Sequence, residues 1–206
     1  MTRIFNPVTE HYETLCVPLR NEEGKEDPLL IDIREYDRET RTPSLVLKVD
    51  NVIKSTLTSF KDHAPLVYHW FARAKETTRD STSGLKASAS DKLSDIVVVV
   101  LNDPYLSSIE TNLQLGREFK EVSIKLLHWS GESKPKIIWE ALFGIVRVVY
   151  FVPGSIYTAV VFRANEYLHT RYKFEQTDGS LAGQAPVSFN YATNSTSTNL
   201  TAQAQP

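Results

Sequence analysis

The chain has 206 residues, 41% of them hydrophobic and 23% charged, with a formal net charge of −2. That length and balance suit one ordinary soluble domain with a sizeable core, exclude disorder throughout, and give no whole-protein attraction to nucleic acid or anionic membrane. The single cysteine, Cys16, excludes an intrachain disulfide and a cysteine-based zinc site, which fits a reducing compartment.

Charge is distributed unevenly. Residues 1–50 carry 7 Lys and Arg against 11 Asp and Glu, net −4, whereas residues 134–176 carry 6 against 3, net +3. An anionic partner is therefore expected at the C-terminal part of the domain. The opening MTRIFNPVTEHYETL has no uninterrupted apolar run, so a cytoplasmic location is expected. The sequons at Asn194 and Asn199 are then expected to stay unmodified.

In chain order, three β segments come first: His11 to Leu19, Leu29 to Tyr36 and Ser44 to Val49, separated by the charged turns NEEGKEDP and DRETRTP. They predict a small antiparallel sheet. After Asp50 the period changes to about 3.6. Val52, Ile53, Thr56, Leu57 and Phe60, then Leu66, Val67, Trp70, Phe71 and Ala74, predict two consecutive helices. Residues 77–92 lack periodicity and read as a surface loop. Asp95 to Leu101, DIVVVVL, predicts a strand buried on both faces, and Glu121 to Trp129 a strand with one wetter face.

Lys134 to Val152 keeps polar residues only at Lys136, Glu140, Gly144 and Arg147, which share one narrow arc of a helix. A long, largely buried helix is the expectation; the rival is a helix to Gly144 followed by a strand over the β-branched IVRVVYFV. The run of about 16 residues, interrupted by Glu140 and Arg147, is short of the roughly 20 needed to span a membrane. A hairpin over Ile156 to Arg163 and Tyr167 to Glu175, turning at Ala164-Asn165-Glu166, completes the ordered part. The fold class that follows is α+β, a mainly antiparallel sheet packed against a few helices. Residues 1–176 form the domain and residues 177–206 a disordered Ser/Thr/Asn/Gln-rich tail.

Catalytic motifs are absent: no GxGxxG, GxxxxGK[ST], HExxH or GxSxG occurs. His11, His63, His69, His128 and His169 are too scattered to pair at ligand spacing, so no metal, cofactor or small-molecule substrate is expected. Asp103, Glu118 and Lys120 stand in the order used by metal-dependent phosphodiesterases, where carboxylates hold a hard cation and a lysine activates water. The plainer account is a strand-ending turn and a solvated segment. In YLHTRYKF, Tyr167, His169, Arg171 and Lys173 line one face of a strand, with Arg163 across the turn, and offer cations and aromatics to RNA or an acidic membrane surface. An ordinary solvated face has the same pattern. Trp139, Phe143 and Tyr150 are the candidates for self-association. The reading is a non-enzymatic, coat- or matrix-like assembly protein that forms a homo-oligomer; the alternatives are a nuclease using Asp103, Glu118 and Lys120, and a protein-binding adaptor or inhibitor.

Overall fold

A computed structural model describes residues 4–5, 12–19, 25, 27–34, 44–53, 62–78, 88–129, 135–175 and 180–202. The described elements are almost all strands: β1 (Ile4–Phe5), β2 (Tyr12–Val17), β3 (Leu29–Arg34), β4 (Leu45–Val49), β5 (Ala64–Trp70), β6 (Arg73–Thr78), β7 (Ser88–Leu93) and β8 (Ile96–Leu101) precede one helix, α1 (Leu106–Leu115). After it come β9 (Glu118–His128), β10 (Lys136–Pro153), β11 (Tyr157–Phe174) and β12 (Leu181–Asn190). One antiparallel sheet runs β10-β9-β4-β5-β8-β11, and β11 pairs back onto β10, closing a six-stranded barrel. Closure removes the edges of those strands except along the C-terminal half of β11, beyond its pairing with β8. β12 continues the sheet from the C-terminal half of β11, β1-β2-β3 form a separate sheet, and β6-β7 form a hairpin.

The run Ile96–Val100 is buried throughout, as its unbroken apolar character predicts, and the reason is two layers of cover. Ile96, Val98 and Val100 point into the barrel. Val97 and Val99 point outward, with Ala159 and Val161 of β11, under Leu15 and Val17 of β2 and Ile31 and Ile33 of β3. The predicted strands at 11–19, 29–36, 44–49, 95–101 and 121–129 correspond to β2, β3, β4, β8 and β9. β4, however, belongs to the barrel and not to the N-terminal sheet.

The α+β expectation is corrected to a mainly β barrel with a single described helix. The helix expected over Lys134 to Val152 is corrected to a strand: residues 136–153 are the long strand β10, and Lys134 lies outside the described residues. Glu140 and Gly144 lie four apart, and four is close to a helical turn but also an even number, so the two share the outer face of a strand. Arg147 joins the apparent stripe only because β10 changes phase at Ile145, which has a φ of 51°. The second predicted helix is β5, where a register shift between Leu66 and Tyr68 breaks the alternation that would have marked a strand. Most of the first, residues 54–60, lies outside the described residues. The loop expected over 77–92 is the end of β6 and most of β7, with 79–87 outside the described residues. The hairpin expected after Ile156 is one uninterrupted strand, β11, carried through Ala164-Asn165-Glu166.

The two ends of the barrel are closed differently. α1 covers one end, inserting Leu106 and Ile109 among Phe119, Val146, Val148 and Phe162, and stops at Gly116 in the left-handed conformation. Its apolar spacing, Leu106, Ile109 and Leu113 before a glycine, was legible but is short. The tail expected to lack structure supplies β12, and Asn190 to Ala202 fold back across the outer face of the sheet. There Asn190 and Asn199 donate side-chain hydrogen bonds to the buried Glu166 at 2.8 and 3.3 Å, and Leu200 packs over Gly144. A Cβ at Gly144 would come within 2.8 Å of Glu166 Oε2 and 3.1 Å of Leu200 Cδ2, so a side chain there would displace the Glu166 carboxylate and press on Leu200.

Candidate functional site

The end of the barrel away from α1 is a mouth closed by side chains. Its wall runs across β10 and β11 in register, Phe143 opposite Tyr167, Ala141 opposite His169 and Trp139 opposite Arg171, and β12 extends these rows with Phe189 and the exposed Val187 and Ala185. β5 and the turn after it add His69 and Phe71. The rings interlock: Phe71 meets Phe143 and Tyr167 edge-on at 5.3 and 5.9 Å between centroids, and Trp139 lies between His69 at 5.5 Å and His169 at 5.7 Å. Arg73 sits over the Tyr167 ring at 5.1 Å. Such ring packing contributes specific geometry as well as apolar burial.

The mouth is electropositive. Arg73, Arg171 and Lys173 are exposed there, and among the described residues Arg171 and Lys173 form no ion pair. Burial lowers the pKa of His69, and burial together with Arg171 and Arg73 lowers that of His169, so both imidazoles resist protonation. Desolvation pushes the Tyr167 hydroxyl up to about 12 despite Arg73.

The outer face of β9 and β10 holds a second polar group. Lys125 and Glu140 are fully buried with Nζ and Oε1 3.3 Å apart, and the Tyr172 hydroxyl donates to Glu140 Oε2 at 3.4 Å. Burial lowers the Lys125 pKa while Glu140 opposes the shift, and Tyr172 is pushed up to about 12. The buried hydroxyls of Ser123 and Thr170 flank this pair in the ladder, and among the described residues they have no hydrogen-bond partner.

The sequence-predicted residues divide on the structure. Tyr167, His169, Arg171 and Lys173 do share a face, but that face is the barrel's inner one, and Tyr167 is buried in the core while Arg171 and Lys173 emerge at the rim. Arg163 is not with them: it lies on the outer side, held bidentately by Asp95 at 2.8 and 2.9 Å. Phe143 is fully buried in its own barrel, Tyr150 packs against the β2-β3 cluster, and Trp139 is half-buried in the mouth, so the trio forms no common surface. Asp103 and Glu118 are engaged separately. Asp103 accepts the Tyr105 N–H at 3.3 Å, and Glu118 holds Arg147 at 2.7 Å. No group of three or more His, Cys, Asp and Glu able to hold a metal occurs among the described residues. Sequence reasoning missed His69, Phe71 and Arg73, because they belong to the segment read as a helix. It also missed Glu13, whose alternation within β2 placed it beside apolar neighbours and was the available signal.

No family model matches the chain, and no curated protein does. Solved structures do resemble it. A protein described as a type six secretion system protein superposes with a TM-score of 0.62 at 18% identity, over 73% of this chain and 97% of its own. Hcp1 from Salmonella typhimurium follows with a TM-score of 0.54 at 14% identity, over 73% of this chain and 95% of its own. Hcp1 from E. coli EAEC 042 has a TM-score of 0.52 at 13% identity, over 71% and 96%. At these identities the likeness is one of fold, and it takes in nearly the whole of each of those proteins and nearly three quarters of this chain.

Proposed function

We propose that the protein is a non-enzymatic structural subunit that assembles with copies of itself, of the kind used in type VI secretion. The observation that carries this reading is the closed barrel, in a fold that superposes over 73% of this chain and 97% of the type six secretion system protein. The sheet is closed on itself and filled with Val, Phe and Ala, and a rigid outer surface of this kind is suited to repeated contacts. Heterologous contacts between such subunits close into rings or run on as tubes. Light scattering coupled to size exclusion over a range of protein and salt concentrations tests the idea. A homo-oligomer of defined mass, ring- or tube-shaped by electron microscopy, is expected; a monomer at every concentration would sink it.

A second reading rests on the exposed Arg171 and Lys173 at the mouth: an anionic partner, RNA or an acidic membrane, bound beside Trp139 and His169. Arg171→Glu with Lys173→Glu should then weaken salt-dependent binding to RNA or to acidic vesicles by at least tenfold. Equal binding by the variant and the native chain would remove this reading.

A further inference from the structure

The barrel is bent along one line. Along it two outward residues, instead of the usual one, separate the inward-facing residues of β9, β10 and β11 together: Phe119 and Val122, Phe143 and Val146, Ala164 and Tyr167 all belong to the core. These six are in register, Phe119 with Val146 with Ala164 and Val122 with Phe143 with Tyr167. Between them lie two rows. Glu121, Gly144 and Glu166 form the first, which Asn199 and Leu200 cover. Lys120, Ile145 and Asn165 form the second, and all three are exposed.

Ile145 is the anomaly. Its φ is 51°, in the left-handed region where a β-branched side chain is an outlier and where Gly, Asn or Asp would sit without strain. It has no ladder partner on either neighbouring strand, although Gly144 and Val146 are paired on both. Its side chain is 39% exposed, so it adds little to the core of its own chain. The glycine of this bend is the preceding residue, where Glu166 and Leu200 need the space. The bend thus carries a strained, exposed isoleucine at the one position where glycine or asparagine would relieve the backbone.

We infer that Ile145 is an apolar knob that a second copy of this chain covers. Its surroundings fit a copy better than a partner of uniform charge: Lys120 is cationic, Arg147 pairs with Glu118 at 2.7 Å, and Asn165 is neutral. An apolar centre rimmed by polar groups of both signs is the make-up of a protein interface, and it can be met by a surface of the same mixed character. Strain held where the monomer gains nothing from it is expected at a functional contact. The inference rests on the self-assembly reading above and names one residue of its interface.

Ile145→Asn separates the two roles because they predict opposite signs. The monomer, measured under dissociating conditions, should melt roughly 2–4 °C higher as the left-handed strain is relieved. Self-association, measured by sedimentation on the same sample, should weaken at least tenfold. Ile145→Val, which keeps an apolar branched side chain and the strain, should associate like the native chain. Unchanged association of Ile145→Asn, with the native protein oligomeric, would overturn the knob and leave the assembly reading standing. A native protein that stays monomeric overturns both.

Discussion

At the scale of single residues, the balance between neutral imidazoles and fixed cations at the mouth sets a pH dependence. His69 and His169 flank Trp139, and Arg73 and Arg171 face His169 from the two sides; Tyr167 is the other titratable group against it. Both histidines have pKa values below the ordinary 6.5. The unfolded chain therefore takes up protons that the folded chain refuses, so the stability tied to these groups is complete above pH 6.5 and is lost progressively as pH falls below it. Denaturant titrations from pH 8 to 5 should show this loss. The double variant His69→Phe with His169→Phe should show less of it, and an identical pH slope in that variant would assign the loss elsewhere. His63 and the carboxylates are common to both proteins, so the difference between the two slopes isolates the mouth.

At the scale of elements, one carboxylate docks the N-terminal sheet. Glu13 of β2 is 1% exposed, and its Oε2 accepts the backbone N–H groups of Ile156 and Tyr157 at 3.1 and 2.9 Å, while Oε1 accepts the Ser155 backbone N–H and hydroxyl. These are the free donors of the turn between β10 and β11, so the contact fastens β2 to the barrel just where Leu15 and Val17 begin to cover Val97 and Val99. Glu13→Ala takes the acceptor from the buried Tyr157 N–H and from the partly buried Ser155 and Ile156 N–H groups and should cost about 3 kcal/mol, read from the urea midpoint. Glu13→Gln, which keeps one acceptor oxygen, should cost less. A loss under about 0.5 kcal/mol for the alanine variant would mean that the apolar contacts alone hold the sheet. The elements misread from the sequence share one cause. β5 and β10 alternate correctly for a few residues, then a register shift or the bend at Ile145 displaces the pattern, and two out-of-phase stretches of period two resemble period 3.6.

At the scale of the whole molecule, closure decides what the apolar residues do. Phe143 and Trp139 on β10 suggested a surface for a partner, but a closed barrel buries the first and half-buries the second within one chain. The tail is also decided at this scale: β12 and the segment after it are poor in large apolar residues, and they are ordered by the free edge of β11 and by Glu166. By itself the sequence determined the strands with clean or unbroken apolar patterns, Leu29 to Arg34, Ile96 to Leu101 and most of β9, because burial of one face or both is written in local alternation. It also determined that Tyr167, His169, Arg171 and Lys173 share a face, since period two holds along that half of β11. Only the tertiary structure decided that this face looks into a barrel, that Arg163 lies outside it with Asp95, and that β10 and β11 are single strands. The physical reason is that closure, bulges and the bend at Ile145 depend on pairings between residues far apart in the chain, and no local spacing records them.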